Sequence, residues 1–219
     1  MRALTNIKAA VFDLDGTILD SSGIWDGLGE RFLASRNITP EPGLSARLNC
    51  MALPESCEYL KSEYHLPETP EQIQTEICGI IAYFYRNECG LNPGAAELLT
   101  ELSRRGIALS IATAGDKELS RAALERLGLL DMFSGVATCN ECGGKNHPEI
   151  FLKAAELAGG TPQNTAVFED SLHAVITAKN AGFLTAAVMD MSEPQQAALR
   201  NTADYYREDL SGYLELFRG

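Results

Sequence analysis

Val11-Phe12-Asp13-Leu14-Asp15-Gly16-Thr17 is the stretch whose reading decides the fold. The apolar run Ala9 to Phe12 has the character of a strand buried on both faces in a parallel sheet, and it stops at two carboxylates flanking one leucine. In an extended chain Asp13 and Asp15 point to the same side. At the carboxyl end of a strand, where open α/β sheets bind ligands, two like charges this close need a cation or a proton between them. Gly16 permits a sharp exit, and Thr17 offers a hydroxyl that can hold a carboxylate in place. Taken alone the stretch also reads as an Asp-rich turn ending a strand, so the rest of the chain must decide.

Downstream of this loop the pattern turns helical for about seventy residues. Ser21 and Ser22 can cap a helix whose apolar face is Ile24, Trp25, Leu28, Phe32 and Leu33. Pro40 and Pro42 close it, a short helical stretch runs from Leu44 to Cys50, and another from Pro54 to Tyr64. The longest helix starts at Glu71, with Ile73, Ile77, Ile80, Ile81, Phe84 and Tyr85 at helical spacing. Four helices without a strand predict a small bundle. From Pro93 strands and helices alternate: Ala95 to Arg105 helix, Ile107 to Thr113 strand, Lys117 to Leu127 helix, Phe133 to Thr138 strand. Pro148 to Ala158 follows as helix, Thr165 to Phe168 as strand, Leu172 to Ala181 as helix and Leu184 to Val188 as strand. The tail adds a helix, an edge strand near Ala203 to Tyr206 and a last helical turn. Such alternation predicts a parallel sheet wrapped by helices, with the bundle inserted after its first strand.

The 219 residues suffice for one full domain and a smaller one. A net charge of −12, from 18 Lys and Arg against 30 Asp and Glu, argues against nucleic-acid or anionic-membrane partners, which need a basic patch. No stretch near the amino terminus has the make-up of a secretion signal and no apolar run is long enough to span a bilayer, so a cytoplasmic protein is expected. The six cysteines (Cys50, Cys57, Cys78, Cys89, Cys139, Cys142) read as reduced thiols. Cys139 and Cys142, with His147, could instead form a soft metal site or a regulatory disulfide, although a fourth ligand is missing.

Three further polar sites fall at strand ends equivalent to the Asp13 loop. Thr113-Ala114-Gly115 ends one strand directly before a helix, so its hydroxyl and the following N–H groups could bind an anion. Lys145, in a Gly-Gly-Lys loop, could neutralise that anion, and Glu169-Asp170-Ser171 ends another strand before a helix. In a parallel sheet these ends share one edge, which sets an anion site beside a hard-cation site.

In this order and context the motifs resemble the haloacid dehalogenase superfamily of phosphohydrolases. The resemblance covers nearly the whole chain and includes Gly-Lys-x-x-Pro-x-Ile-Phe at Gly144 to Phe151, Val-Phe-Glu-Asp-Ser at Val167 to Ser171, and Ala181-Gly182. It implies a doubly wound, Rossmann-like parallel α/β sheet, residues 1–20 and 91–219, with an inserted α-helical cap, residues 21–90, like that of the branch containing β-phosphoglucomutase. It further implies that Asp13 is the nucleophile and Asp15 the general acid and base. Mg²⁺ would be held by Asp13, the Asp15 carbonyl and Asp170, with Glu169 assisting. Thr113, Ala114 and Lys145 would bind the phosphoryl group, with Thr17 and Ser171 in support. The expected activity is a Mg²⁺-dependent phosphatase acting through an aspartyl-phosphate on a small phosphorylated metabolite such as a sugar phosphate. A phosphomutase is the alternative, and a silent binding protein on this scaffold a third. A monomer is expected, with a dimer left open.

The departures from that family pattern also carry information. Trp25 and Leu53 occupy the positions that best match the mutase's cap His and Arg, which speaks against a mutase. Lys61, the one cap lysine, reads as a surface residue rather than a Schiff-base former. Asp15 argues against dehalogenase chemistry, while Asn146 and Ala174 replace a usual Pro and Gly without touching chemistry. Trp25 either contacts substrate or fills the cap core.

Overall fold

The first strand, β1 (Ala9–Phe12), is buried along its whole length, and the sheet forms around it. The computed structural model describes residues 3–25, 27–48 and 51–217. After β1 come β2 (Leu19–Asp20), α1 (Ser22–Trp25), α2 (Leu28–Ala34), α3 (Leu44–Leu48), α4 (Leu53–Glu63), α5 (Pro70–Asn87) and β3 (Gly90–Leu91). Then follow α6 (Ala95–Arg104), β4 (Ala108–Thr113), α7 (Lys117–Arg126), β5 (Phe133–Thr138), α8 (Cys139–Cys142), α9 (Glu149–Leu157) and β6 (Thr165–Glu169). The chain closes with α10 (Leu172–Asn180), β7 (Leu184–Val188), α11 (Gln196–Thr202), β8 (Tyr205–Arg207) and α12 (Ser211–Leu214). It divides into two compact units, residues 1–20 with 90–219, and residues 21–89.

The larger unit is a six-stranded parallel sheet in the order β5-β4-β1-β6-β7-β8. Alternation along β1 and β6 sends successive side chains to opposite faces. Val11 and Val167 pack with Ile150, Phe151 and Ala154 of α9 and Ala174 and Ala178 of α10. Phe12 stacks on Phe168 with ring centroids 4.3 Å apart, and Tyr213 of α12 meets Phe168 edge-on at 5.3 Å. Helices therefore cover both faces, and the sheet is doubly wound. Full burial of each of these large apolar side chains contributes about 1.5–3 kcal/mol. Phe12 lies level with Ile111 and Phe168. That register brings the ends of β1, β4 and β6 to one edge. The antiparallel pair β2–β3, which sequence periodicity did not suggest, closes the two places where the chain leaves and re-enters this unit.

The smaller unit is helical, with a core of Phe32, Leu33, Leu44, Cys57, Leu60, Ile73 and Ile77. Thr69 starts α5 through a reciprocal capping box with Gln72, and Pro70 supplies a ready-made first-turn φ. Five helices form here among the described residues, not four. The expected first helix is broken, because Gly27 adopts a non-helical backbone (φ −132°, ψ 12°) before α2. The expected Leu44 to Cys50 helix is described as far as Leu48, with Asn49 and Cys50 outside the described residues. Cys139 to Cys142, expected as loop, forms a helical turn because Thr138 and Glu141 make a capping box. Among the described residues no helix is long and apolar enough to cross a membrane.

Candidate active site

Asp13 continues the β1 ladder by donating its N–H to the Phe168 carbonyl, 2.9 Å away. Its carboxylate is thereby fixed at the sheet edge and almost fully buried. Lys145 arrives from the loop after α8, where Gly143 and Gly144 both take positive φ. Its ammonium, also buried, bonds Asp13 Oδ1 and lies 2.5 Å from Glu169 Oε1. The other Glu169 oxygen accepts from Asp170 N (2.8 Å), Ser171 N (2.9 Å) and Ser171 Oγ (3.0 Å). Ser171 thus anchors Glu169 at the start of α10, and both Glu169 oxygens are engaged.

Burial sets the proton affinities here, and neighbouring charge then divides them. Burial pushes the Asp13 carboxyl up to about 7 despite Lys145 beside it. The Asp170 carboxyl is raised well above its ordinary value by burial, and the Glu169 and Asp13 charges add to the effect. For Glu169 burial works the same way, but Lys145 and the Asp170 and Ser171 donors outweigh it and hold the carboxyl below its usual range. Burial disfavours the Lys145 charge, and its two carboxylate partners more than restore it.

Asp13, Glu169 and Asp170 each offer an oxygen, all within 4.8 Å of one another. They are the only such His, Cys, Asp or Glu group among the described residues. Three buried carboxyls against one ammonium leave the edge short of positive charge, which adds to burial in raising the Asp13 and Asp170 carboxyls. An all-oxygen set with a charge deficit fits a hard divalent cation such as Mg²⁺. Gly16 makes the close approach possible: at φ +81° a Cβ there would lie 2.2 Å from Asp170 Oδ2. The Asp15 carboxylate lies elsewhere on the edge, facing Gly115 together with the Thr113 and Ser120 hydroxyls. Thr113 Oγ1 accepts the Gly115 N–H at 2.9 Å, shaping the turn in which Ala114 is exposed.

One expectation fails, and one alternative is not formed. The Thr17 hydroxyl holds no carboxylate; it is buried without a hydrogen-bond partner. Cys139, Cys142 and His147 do not gather as ligands; both cysteines are free, with thiols pushed up by burial. Sequence reasoning also passed over three residues. Asn92 Nδ2 donates to the Gly16 (2.7 Å) and Thr17 (3.1 Å) carbonyls and so ties down the Asp13 loop. Ser120 closes on Gly115, and Asp190 Oδ2 would lie 3.1 Å from a Cβ at Gly16. The one available signal was position: Asp190 follows β7 at the same edge. Trp25 belongs to the helical unit, where it is half-exposed rather than core.

The family model for haloacid dehalogenase-like hydrolases matches residues 7–182, and the chain belongs to that family. Hexitol phosphatase B of Escherichia coli is 26% identical over 183 residues, 80% of each chain. Validoxylamine A 7′-phosphate phosphatase of Streptomyces hygroscopicus is 25% identical over 221 residues, covering 93% of this chain and 94% of its own. The fold matches a Thermotoga maritima structure, provisionally named a β-phosphoglucomutase, with TM-score 0.84 at 24% identity over 95% of this chain and 99% of that one.

Proposed function

We propose that this hydrolase is a Mg²⁺-dependent phosphatase that cleaves a small phosphomonoester through an aspartyl-phosphate on Asp13. The observation that carries the reading is the buried Lys145 ammonium bonded to both Asp13 and Glu169 at the edge where Asp170 also lies. The names of the relatives, which specify phosphatases of a hexitol and of validoxylamine A 7′-phosphate, support the reaction class. Residues 1–20 and 91–219 are read as the catalytic domain and 21–90 as its cap.

In this mechanism an Asp13 oxygen attacks phosphorus while the bond to the ester oxygen breaks, and Asp15 gives its proton to that oxygen. A water then returns a proton to Asp15 and attacks phosphorus, which releases phosphate and frees Asp13. Lys145 favours the ionised form of Asp13 against burial and, with the Thr113 hydroxyl and the Ala114 N–H, holds the phosphoryl oxygens. Glu169, fixed by Ser171, orients Lys145. Mg²⁺ would be held by Asp13, Asp170 and the Asp15 carbonyl, with Glu169 in support, and would supply charge neutralisation at the phosphoryl group. Asp13→Asn keeps the volume and removes the nucleophile. Phosphate release should fall by about 10⁴-fold or more with circular dichroism unchanged; near-normal turnover would remove the mechanism.

A further inference from the structure

The loop that leaves β7 brings a further carboxylate to the edge where Asp13, Glu169 and Asp170 gather. A Cβ on Gly16 would meet Asp170 Oδ2 at 2.2 Å and Asp190 Oδ2 at 3.1 Å, so the two carboxylates flank the same point of the Asp13 loop. Both belong to the larger unit, and so do the residues that hold them.

The loop is built to keep Asp190 in that place. Its carboxylate accepts from Ser192 N at 2.9 Å and from Ser192 Oγ at 2.6 Å, and its carbonyl accepts from Glu193 N at 3.1 Å and from the Gln196 amide. Gln196 is held in turn by the Tyr206 hydroxyl, which donates to its Oε1 at 3.1 Å. Glu193 Oε2 accepts the Leu172 N–H at 2.9 Å, which ties the loop to the start of α10, directly after the Glu169-Asp170-Ser171 turn. The loop is thus anchored on β8 at one side and on α10 at the other.

Electrostatics make this placement costly in the absence of a cation. The donors that reach the Asp190 carboxylate among the described residues are both from Ser192 and neutral, while the Lys145 ammonium is taken up by Asp13 and Glu169. A like charge fixed beside Asp170 destabilises the edge by itself and is relieved by a divalent cation bound there. Asp190 stands outside the three residues whose oxygens lie within 4.8 Å of one another, so it is not placed to share an ion directly with all of them. Mg²⁺ gives up water reluctantly and keeps several water ligands in protein sites, and a carboxylate just outside the ligand set is an acceptor for them.

We infer that Asp190 is a positioning residue for the metal site: from outside the ligand set it accepts hydrogen bonds from water on the divalent cation held by Asp13 and Asp170, and so strengthens its binding. The inference rests on the proposed metal site, but it is read in substrate-free protein and needs no turnover.

The experiment titrates the full-length protein with Mn²⁺, an ion of the same octahedral oxygen chemistry, and follows free Mn²⁺ by electron paramagnetic resonance with Mg²⁺ as competitor. Asp190→Asn keeps an acceptor for Ser192 N and a partner for Ser192 Oγ but removes the charge. Its Kd for both ions should rise about 10–100-fold, the usual loss when an outer partner of a metal site is changed. Its urea midpoint in EDTA should stay at or above that of wild type, because a repulsion has gone. Ser192→Ala, which loosens the carboxylate without removing its charge, should raise Kd less, and Asp170→Asn, the reference for a lost direct ligand, should abolish measurable binding. An unchanged Kd in Asp190→Asn, with or without a lower midpoint in EDTA, would overturn the inference and leave the metal site standing. A loss as complete as that of Asp170→Asn would overturn it too, by making Asp190 a direct ligand. Failure of the wild type to bind either ion would overturn the metal reading together with the inference.

Discussion

At the amino end of the sheet, Asp204 accepts from Thr185 N at 2.9 Å and Thr185 Oγ1 at 3.0 Å and pairs with Lys179 at 2.9 Å. At the carboxyl end, Asp13, Glu169 and Asp170 crowd around Lys145. Burial opposes ionisation of Asp204, yet Lys179 and Thr185 outweigh it and hold that carboxyl below its ordinary range. Asp13 and Asp170 shift the opposite way. The same side chain is thus a fixed structural anion where donors match its oxygens, and a proton or cation acceptor where carboxylates outnumber donors. The contrast separates the two ends more sharply than burial does, because both ends bury their carboxylates at least in part.

The strongest way to break this contrast is to remove the one ammonium. Lys145→Met leaves Asp13 and Glu169 without their counter-charge, and losing one partner of a buried pair costs about 3–5 kcal/mol. Urea denaturation at neutral pH should show that loss. A variant within about 1 kcal/mol of wild type would mean that the edge does not depend on Lys145. Chelation is the next test. Removing divalent cations with EDTA should lower phosphate release by about 10²–10³-fold, as for the loss of an electrostatic catalytic element. Added Mg²⁺ should raise the melting temperature of the wild type but not of Asp170→Asn, since only a protein that binds the ion is stabilised by it. Equal Mg²⁺ stabilisation of both proteins would exclude Asp170 as a ligand.

Gly16→Ala probes the crowding directly. The new methyl would sit 2.2 Å from Asp170 Oδ2 on a backbone at φ +81°, so Asp170 or the loop must move. A displacement near 1 Å in such a site costs about 10²-fold in turnover. Phosphate release with global stability held by urea midpoint would check it, and wild-type turnover would show that the Asp170 position does not matter.

Most of the candidate site was legible because its residues touch strand ends. Asp13, Asp15, Thr113, Lys145, Glu169 and Asp170 each sit within or beside a turn that apolar periodicity locates. Asn92 and Ser120 were not, for a physical reason: their roles depend on docking. Asn92 reads as an ordinary turn former until β3 pairs with β2 and brings its amide to the Gly16 carbonyl. Ser120 lies one turn into α7, and only the helix's seat on the sheet turns its hydroxyl toward Gly115. In the helical unit the expected first helix breaks at Gly27, two residues past Trp25, and Trp25 is half-exposed.

The smallest predicted effect belongs to the quiet end of the sheet. Asp204→Asn keeps an acceptor for the Thr185 N–H but loses the charge that meets Lys179, so the loss at pH 7 should be only about 1 kcal/mol, the usual net worth of one hydrogen bond. Its pH dependence distinguishes it from the other end. The folded carboxyl lies below the unfolded value of about 3.9, so its contribution is complete above that pH and fades as pH falls through the lower folded value. Urea midpoints of wild type and Asp204→Asn should therefore differ at pH 7 and converge below about pH 4. Asparagine at Asp170 should do the reverse in metal-free protein. A raised carboxyl costs stability when it ionises, so removing the charge should help as pH rises and matter little in acid. If both substitutions shifted stability with the same sign of pH dependence, the two ends of the sheet would not differ as their donor sets imply.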